Sequence, residues 1–243
     1  MTPSQLETLP ASQPRLEAAP AHTAEAAWRP LYRVGGATAL SMIVLIIVGI
    51  IVFIIDPPPT TVIGFFTLFQ KNTLLGLLAL DLVYMVSQVL MGMILLALCV
   101  TLRRASPSFI AIALTSGLVG LAVYFASNPA FGMLSLSSHY AAATTAVQRS
   151  QFEAAGQAIM ANYTGTAYVV SYVLSGIALL LIAVVMLRST IFSKGTAIVG
   201  LVMGVMMLVP ASAGTVGLVF AFGSLVPLVI WLILIARRLF RLG

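Results

Sequence analysis

The feature that most constrains this chain is a series of long apolar segments with almost no charged side chains inside them. The first covers residues 34–55, and at about 1.5 Å per residue a helix of that length crosses a hydrocarbon core of about 30 Å. Only 7% of the 243 residues are charged, whereas a soluble domain carries about a quarter to cover its surface. The pattern therefore predicts an integral membrane protein and excludes a soluble globular domain.

Six apolar segments have the features of transmembrane helices, and together they predict an all-α membrane bundle over residues 31–243. Each ends close to basic residues or prolines, because prolines remove helical donors and charged groups stay at the membrane boundary. The six predicted helices span residues 34–55, 81–102, 108–126, 164–187, 196–209 and 216–236.

Three other segments lie outside these six helices. Residues 1–30 are rich in Ala, Pro, Glu, Gln and Thr, a composition that predicts a disordered cytoplasmic tail. Residues 62–80 are apolar but carry Gln70, Lys71 and Asn72 in the middle, which favours an interfacial or re-entrant stretch over an extra span. Residues 145–161 have apolar side chains at helical spacing, so we expect a short amphipathic surface helix between the third and fourth spans.

The basic residues predict the orientation of the bundle. With the amino terminus inside, all the arginines and lysines except Lys71 and Arg149 fall on the cytoplasmic side. The positive-inside rule therefore places both termini in the cytoplasm. Because these residues lie singly or in pairs at the ends of apolar runs, the net charge of +6 indicates lipid headgroups as the partner and no nucleic acid.

The second and fourth predicted helices resemble each other and predict an internal repeat. The same residues recur in the two segments 84 positions apart: Tyr84, Ser87, Gly92 and Arg104 correspond to Tyr168, Ser171, Gly176 and Arg188. Parallel repeats of this kind occur in some transporters. Apolar segments also match one another by chance, so duplication and coincidence both stay open.

Polar side chains in the outer halves of two helices form the candidate ligand site. Residues spaced three and four apart share one face of a helix, and an acid in a membrane segment usually has a partner. We call the candidate residues the predicted vestibule: Asp81, Tyr84, Gln88, Tyr168, Ser171 and Tyr172. The alternative is that Asp81 only caps its helix and the tyrosines form an interfacial belt.

A second candidate site lies in the last predicted helix. Pro227 is in the middle of this helix and leaves the carbonyl of Gly223 without its usual donor, and Ser224 is close enough to satisfy it. A helix broken near the membrane midplane is where transporters bind substrate. The alternative is a simple proline kink.

No motif for catalysis or for a cofactor stands out. A metal site built from His139, Glu153 and Asp81 is a minor alternative, because zinc hydrolases need at least three well-ordered ligands and the chain has only 2 histidines. The sequence therefore predicts no catalytic residues, no metal and no cofactor.

Several short motifs resemble one family of bacterial membrane proteins. The resemblance covers about residues 31–243 and rests on Leu80-Asp81-Leu82, Leu102-Arg103-Arg104, Gln148-Arg149, Gly165-Thr166-Ala167, Met186-Leu187-Arg188-Ser189, Phe192-Ser193-Lys194 and Ala236-Arg237-Arg238-Leu239. The chain is similar to the family catalogued as domain of unknown function 4386. The resemblance implies a multi-pass protein of the bacterial inner membrane and no particular activity.

Three hypotheses for function follow. The first is a non-enzymatic protein that binds or transports a small apolar or amphipathic ligand. The second is a structural or regulatory subunit that forms a homo-oligomer or partners another membrane protein. The third is an intramembrane enzyme, which too few titratable groups support.

Overall fold

The computed structural model describes residues 26–243, and all regular secondary structure within them is helical. Most of the predicted tail, residues 1–25, lies outside the described residues, and α1 begins at Arg29, inside the range predicted as tail. The helices are α1 (Arg29–Ile55), α2 (Val62–Lys71), α3 (Thr73–Ala79), α4 (Leu82–Leu102), α5 (Pro107–Ser127), α6 (Ala130–Ala142), α7 (Ala146–Tyr163), α8 (Thr166–Arg188), α9 (Lys194–Met206) and α10 (Gly214–Leu242).

Five helical stretches of the described chain are long and apolar enough to cross a membrane: Arg29–Ile55, Leu82–Leu102, Pro107–Ala142, Ala146–Arg188 and Gly214–Leu242. The third joins α5 to α6 and the fourth joins α7 to α8. Large apolar side chains point outward from these helices, and Val44 and Ile54 are 60% and 72% exposed. The protein is therefore an all-helical, membrane-embedded protein with five candidate spans.

The remaining predicted span is shorter than expected. Residues 196–209 were predicted as one helix, whereas α9 ends at Met206 and a turn-rich segment of residues 207–213 follows it. A helix of 13 residues covers about 20 Å, which is less than the hydrocarbon core. By itself α9 is too short to be a membrane span.

Six helices pack side by side into a closed ring. In ring order they are α1, α4, α5, α8, α9 and α10, and α10 packs back against α1. Neighbours run antiparallel and approach closely at glycines, as expected where small residues let helices pack in a membrane. For example, a Cβ on Gly120 of α5 would lie 3.0 Å from the Ser175 hydroxyl of α8.

One end of the ring carries most of the basic residues, and we call it the basic end. The two ends of the described chain meet there, because the Arg33 guanidinium donates hydrogen bonds of 2.9 and 3.1 Å to the Gly243 carbonyl. The basic residues at this end are Arg29, Arg33, Arg103, Arg104, Arg188, Lys194, Arg237, Arg238 and Arg241. The described acidic residues, Asp56, Asp81 and Glu153, lie at the opposite end.

Four short helices cover that opposite end, and we call α2, α3, α6 and α7 the cap. They enclose a second apolar core, in which Phe66 and Met133 are fully buried. The Ser137 hydroxyl of α6 donates to the Phe66 carbonyl of α2 at 2.9 Å and fixes the two helices together. The cap is thus a folded layer over the ring.

Asn72 explains why residues 62–80 are not an extra span. Its backbone ends α2, and its side-chain oxygen accepts hydrogen bonds from the amides of Leu74 and Leu75 at 3.0 and 3.1 Å, which starts α3. The segment therefore forms two helices of 10 and 7 residues. Neither is long enough to cross a membrane.

The segment predicted as an amphipathic surface helix is α7. Thr145 caps it through a reciprocal pair of hydrogen bonds with Gln148. Gly156 packs on α2, where a Cβ would lie 2.5 Å from Val62. Val147 belongs to the predicted apolar side but is 68% exposed. Other residues of α7 contact α6 and the segment after it: Arg149 donates to the Ala143 carbonyl, and the Phe152 ring lies near His139.

The two segments of the suspected repeat occupy similar surroundings. Both α4 and α8 run from the cap to the basic end, and Ser87 and Ser171 are buried at equivalent positions. A Cβ on Gly92 would meet Leu121 of the following α5 at 3.3 Å, and one on Gly176 would meet Leu208, just after α9, at 3.0 Å. The geometry is compatible with a parallel repeat.

Candidate functional site

Asp81 has an unusual backbone conformation at the junction between the cap and the ring. It separates α3 from α4 with φ of +67°, the one positive φ of a non-glycine residue within residues 26–243. This left-handed conformation costs an L-residue about 1–2 kcal/mol, although Asp tolerates it better than most. Local strain of this kind is found at functional sites more often than elsewhere.

The side chain of Asp81 connects two layers of the molecule. It makes no hydrogen bond to the first amides of α4, so it does not have the helix-capping role that the alternative interpretation predicted. It instead accepts a hydrogen bond from the hydroxyl of Tyr163, the last residue of α7. The cap is therefore tied to the ring through one carboxylate and one phenol.

Burial changes the acidity of this carboxyl group, which lies one residue before α4 and outside the apolar spans. Desolvation raises the pKa of Asp81 above its ordinary value of 3.8, because burial disfavours the charged form. The hydrogen bond from Tyr163 acts in the opposite direction and offsets part of the rise. The group therefore takes up a proton more readily than a solvated aspartate does.

Tyrosines from three helices and the α7 end surround Asp81, and we call them the tyrosine cluster: Tyr84, Tyr124, Tyr163, Tyr168 and Tyr172. The rings of Tyr84 and Tyr124 meet edge to face with centroids 5.1 Å apart. The Tyr168 ring lies between those of Tyr163 and Tyr172, with centroid distances of 6.0 and 5.8 Å. The cluster surrounds a carboxylate with amphipathic side chains, which have both an apolar face and a polar hydroxyl.

A cavity of about 530 Å³ opens beside Asp81, and we call it the outer cavity. Its walls come from α1, α4 and α10, and its upper boundary comes from the cap. The lining is mostly apolar, and its polar side chains are Asp56, Asp81, Tyr84, Ser87 and Tyr163. Cavities of about 300–1,000 Å³ with a few convergent polar groups are typical of small-molecule sites.

A smaller cavity of about 70 Å³ lies in the middle of the ring, and we call it the central cavity. Met42, Tyr84 and Leu228 line both cavities, so the two adjoin at these side chains. Gln88 and Ser175 are polar groups of its wall. It is much smaller than the outer cavity, and its wall is mostly apolar.

The ring is closed between the central cavity and the basic end. A Cβ on Gly35 of α1 would lie 2.6 Å from Ala97 and 3.1 Å from Leu239, so the helix backbones are in close contact there. Leu98, Leu102 and neighbouring buried side chains fill the remaining space. Both cavities are therefore sealed from the basic end.

The predicted vestibule residues occupy four different environments. Asp81 and Tyr84 line the outer cavity, whereas Gln88 lines the central cavity. Tyr168 and Tyr172 stack in the tyrosine cluster. The buried hydroxyl of Ser171 donates to the Tyr168 carbonyl at 2.7 Å within its own helix and lines neither cavity.

Two residues of the site had no role in the sequence interpretation beyond an aromatic belt. Tyr163 bonds to Asp81 although 82 positions separate them. Tyr124 packs on Tyr84, and its hydroxyl lies 3.5 Å from the Asn128 amide nitrogen, which also donates to the Leu80 carbonyl at 3.4 Å. No local pattern signals such long-range pairs.

The second candidate site is an unbroken helix in the structure. α10 continues through Pro227 from Gly214 to Leu242. The Ser224 hydroxyl donates to the Ala221 carbonyl at 2.7 Å and so does not serve the carbonyl of Gly223. Leu228, one residue beyond the proline, lines both cavities, so the proline region contributes to the cavities through an apolar side chain.

The three potential metal ligands are not brought together. In the part of the chain that the structure describes, no group of three His, Cys, Asp or Glu side chains is placed to hold a metal ion. His139 Nδ1 lies 2.7 Å from the Ser135 carbonyl, and its ring packs near Phe152. Asp81 is engaged with Tyr163 instead.

Comparison with known proteins gives no further assignment. No protein-family model, no curated protein and no solved structure matches this chain. The resemblance to the family catalogued as domain of unknown function 4386 stays a prediction.

Proposed function

We propose that this protein binds a small apolar or amphipathic ligand in the outer cavity. The observation that carries the proposal is a space of about 530 Å³ with an apolar lining and the Asp81–Tyr163 pair in its wall. The apolar walls favour a hydrophobic body, and the few polar groups favour one polar end on the ligand.

The charge of the lining supports a ligand whose polar end donates hydrogen bonds or is cationic. Asp56 and Asp81 both line the outer cavity, and among residues 26–243 no Lys, Arg or His side chain does. A cation beside a partly desolvated carboxylate gains an attraction that an anion would not. An amphipathic amine is therefore preferred over a fatty acid.

The membrane placement belongs to the same proposal. The six antiparallel helices of the ring support six crossings, in which α9 and residues 207–213 together make the fifth. The positive-inside rule assigns the basic end, with both termini, to the cytoplasm. The outer cavity then opens toward the outer half of the bilayer, and the family resemblance favours a bacterial inner membrane.

Native mass spectrometry of protein released gently from membranes tests ligand binding. We expect a stoichiometric small molecule on the wild-type chain and its loss from Gly49→Leu, because Gly49 lines the outer cavity and has room for a side chain, with Val83 at 3.6 Å from a Cβ. Gly195→Leu is the matched control, since Gly195 is exposed and lines neither cavity. Asp81→Asn should weaken binding by about tenfold if it loses one charge-assisted contact.

An adduct that survives both Gly49→Leu and Asp81→Asn would place the ligand elsewhere and refute the proposal. A wild-type chain that emerges bare, or with another protein chain bound, would favour the structural or regulatory hypothesis instead. A fatty acid as the retained ligand would contradict the preference for an amine.

A further inference from the structure

A third cavity, at the basic end, has a chemistry that the proposed function does not use. It measures about 500 Å³ and lies between the start of α9 and the last turns of α10. We call it the arginine cleft. It is lined by Thr190, Ile191, Phe192, Ser193, Thr196, Leu234, Arg237, Arg238 and Arg241.

The arginines of the cleft come from one face of α10. Leu234, Arg237, Arg238 and Arg241 follow a spacing of three, four and seven, which places them on the same side of a helix. The Nε atom of Arg238 is buried and has no hydrogen-bond partner within residues 26–243. A buried donor without an acceptor costs free energy, so the cleft is short of an acceptor.

No acidic side chain of the described chain lies at this end to balance the arginines. Asp56 and Asp81 are at the ends of α1 and α4 that face the cap, and Glu153 is in the cap itself. No Asp or Glu side chain of residues 26–243 therefore neutralises the positive charge of the cleft. An external anion would satisfy both the charge and the unpaired donor.

The first turn of α9 adds to the attraction for an anion. Ser193 precedes the helix, and its hydroxyl accepts a hydrogen bond from the Thr196 amide at 3.2 Å and lies 2.9 Å from the Thr196 hydroxyl. The amino end of a helix carries a partial positive charge and favours anions. The hydroxyls of Thr190 and Thr196 are further donors in the wall.

Apolar surface adjoins the charged part of the cleft. Leu234 and Ile191 belong to its wall. On α9, Ile198 and Val202 are 54% and 49% exposed and continue the apolar surface away from the basic end. An anionic group bound by the arginines therefore has room for a hydrocarbon chain to follow the outside of the ring.

We propose that the arginine cleft binds a phosphate group. The guanidinium fork matches phosphate oxygens in geometry and charge. The phosphate is supplied either by an anionic phospholipid headgroup, whose chains lie along α9, or by a free phosphate in solution. Binding here needs neither the outer cavity nor Asp81, so it is independent of the proposed ligand site.

The test uses the full chain and two probes. The first is phosphatidylglycerol in phosphatidylcholine nanodiscs, with retained lipid read by native mass spectrometry. The second is inorganic phosphate added to the detergent-solubilised protein, read by calorimetry. The test variant carries Arg237→Gln, Arg238→Gln and Arg241→Gln. The control carries Arg29→Gln, Arg103→Gln and Arg188→Gln, which remove the same charge at the same end but leave the cleft intact.

We expect phosphatidylglycerol to be retained on the wild type and the control, and to bind the test variant at least about tenfold more weakly, as expected for lost charge-assisted hydrogen bonds. Arg238→Gln alone, with a melting temperature like that of the wild type, should give an intermediate loss. Calorimetric binding of inorganic phosphate with the same dependence on the variants would support the site and assign its source to solution. Equal loss in test and control variants, or no binding of either probe to the wild type, would overturn the proposal.

Discussion

Gly200 of α9 offers the most direct test of how the ring is packed. A Cβ at this position would lie 2.7 Å from Trp231 Nε1 on α10 and 3.3 Å from the Ala183 Cβ on α8. Trp231 is 0% exposed, so its indole cannot swing into solvent. In Gly200→Ala the indole must retreat by about 0.8 Å to reach an ordinary separation of about 3.5 Å.

Two opposing effects set the expected size of the change. Overpacking of a close contact costs about 1–3 kcal/mol, and replacing glycine by alanine inside a helix returns about 1 kcal/mol. We expect Gly200→Ala to lower the free energy of unfolding by about 1 kcal/mol. Gly49→Ala is the matched control, because its Cβ would lie at an ordinary 3.6 Å from Val83, and it should gain about 0.5–1 kcal/mol.

Thermal unfolding in detergent, followed by circular dichroism, measures this difference. At about 2–4 °C per kcal/mol for a chain of this size, the two variants should differ in melting temperature by about 3–8 °C. If Gly200→Ala melts as high as Gly49→Ala, the close contact between α9 and Trp231 does not exist. An unchanged melting temperature with an altered Trp231 emission would instead mean that the indole had moved into the central cavity, against the expectation.

Two further predictions concern the junction and the orientation. Because burial raises the pKa of Asp81 above 3.8, the unfolding free energy should fall as pH rises from about 4 through that raised pKa. In melting experiments Asp81→Asn should flatten this fall. Tyr163→Phe removes a hydrogen-bond donor to the charged carboxylate, so it should extend the fall to higher pH. An unchanged pH profile in Asp81→Asn would contradict the assigned burial. The second prediction uses an impermeant maleimide in a Cys99→Ala background. It should label Ser138→Cys in intact cells but Gly195→Cys only after lysis, since these exposed residues lie at opposite ends of the ring. The reverse pattern would invert the proposed orientation.

The sequence predicted the helices best where apolar runs meet strong end signals. The span that ends before Arg103 and the span that ends before Asn128 agree with α4 and α5 within one residue at each end. Three ends were wrong by three residues or more, for a physical reason. α1 begins at Arg29, before the predicted start at residue 34. α9 stops at Met206, before the predicted end, and α10 continues past Arg237 to Leu242, because hydropathy marks where side chains meet lipid and not where backbone hydrogen bonds end.

The cap was only partly predictable. The apolar spacing over residues 145–161 predicted α7, whereas no helix was predicted over the segment that forms α6. α6 is held by contacts from distant segments, such as the bond from Ser137 to the Phe66 carbonyl. Tertiary packing stabilises such a short helix when its own sequence does not.

Sequence alone determined that this chain is all-helical and belongs in a membrane, because hydrophobicity, proline and charge act on each segment locally and need no knowledge of the others. It also identified Asp81 as the residue to examine. Only the tertiary structure decided that Asp81 pairs with Tyr163, that six helices close into a ring around the central cavity, and that three arginines of α10 line a cleft with the start of α9. These outcomes depend on which helix faces which, and that choice is made by close packing between segments far apart in the chain.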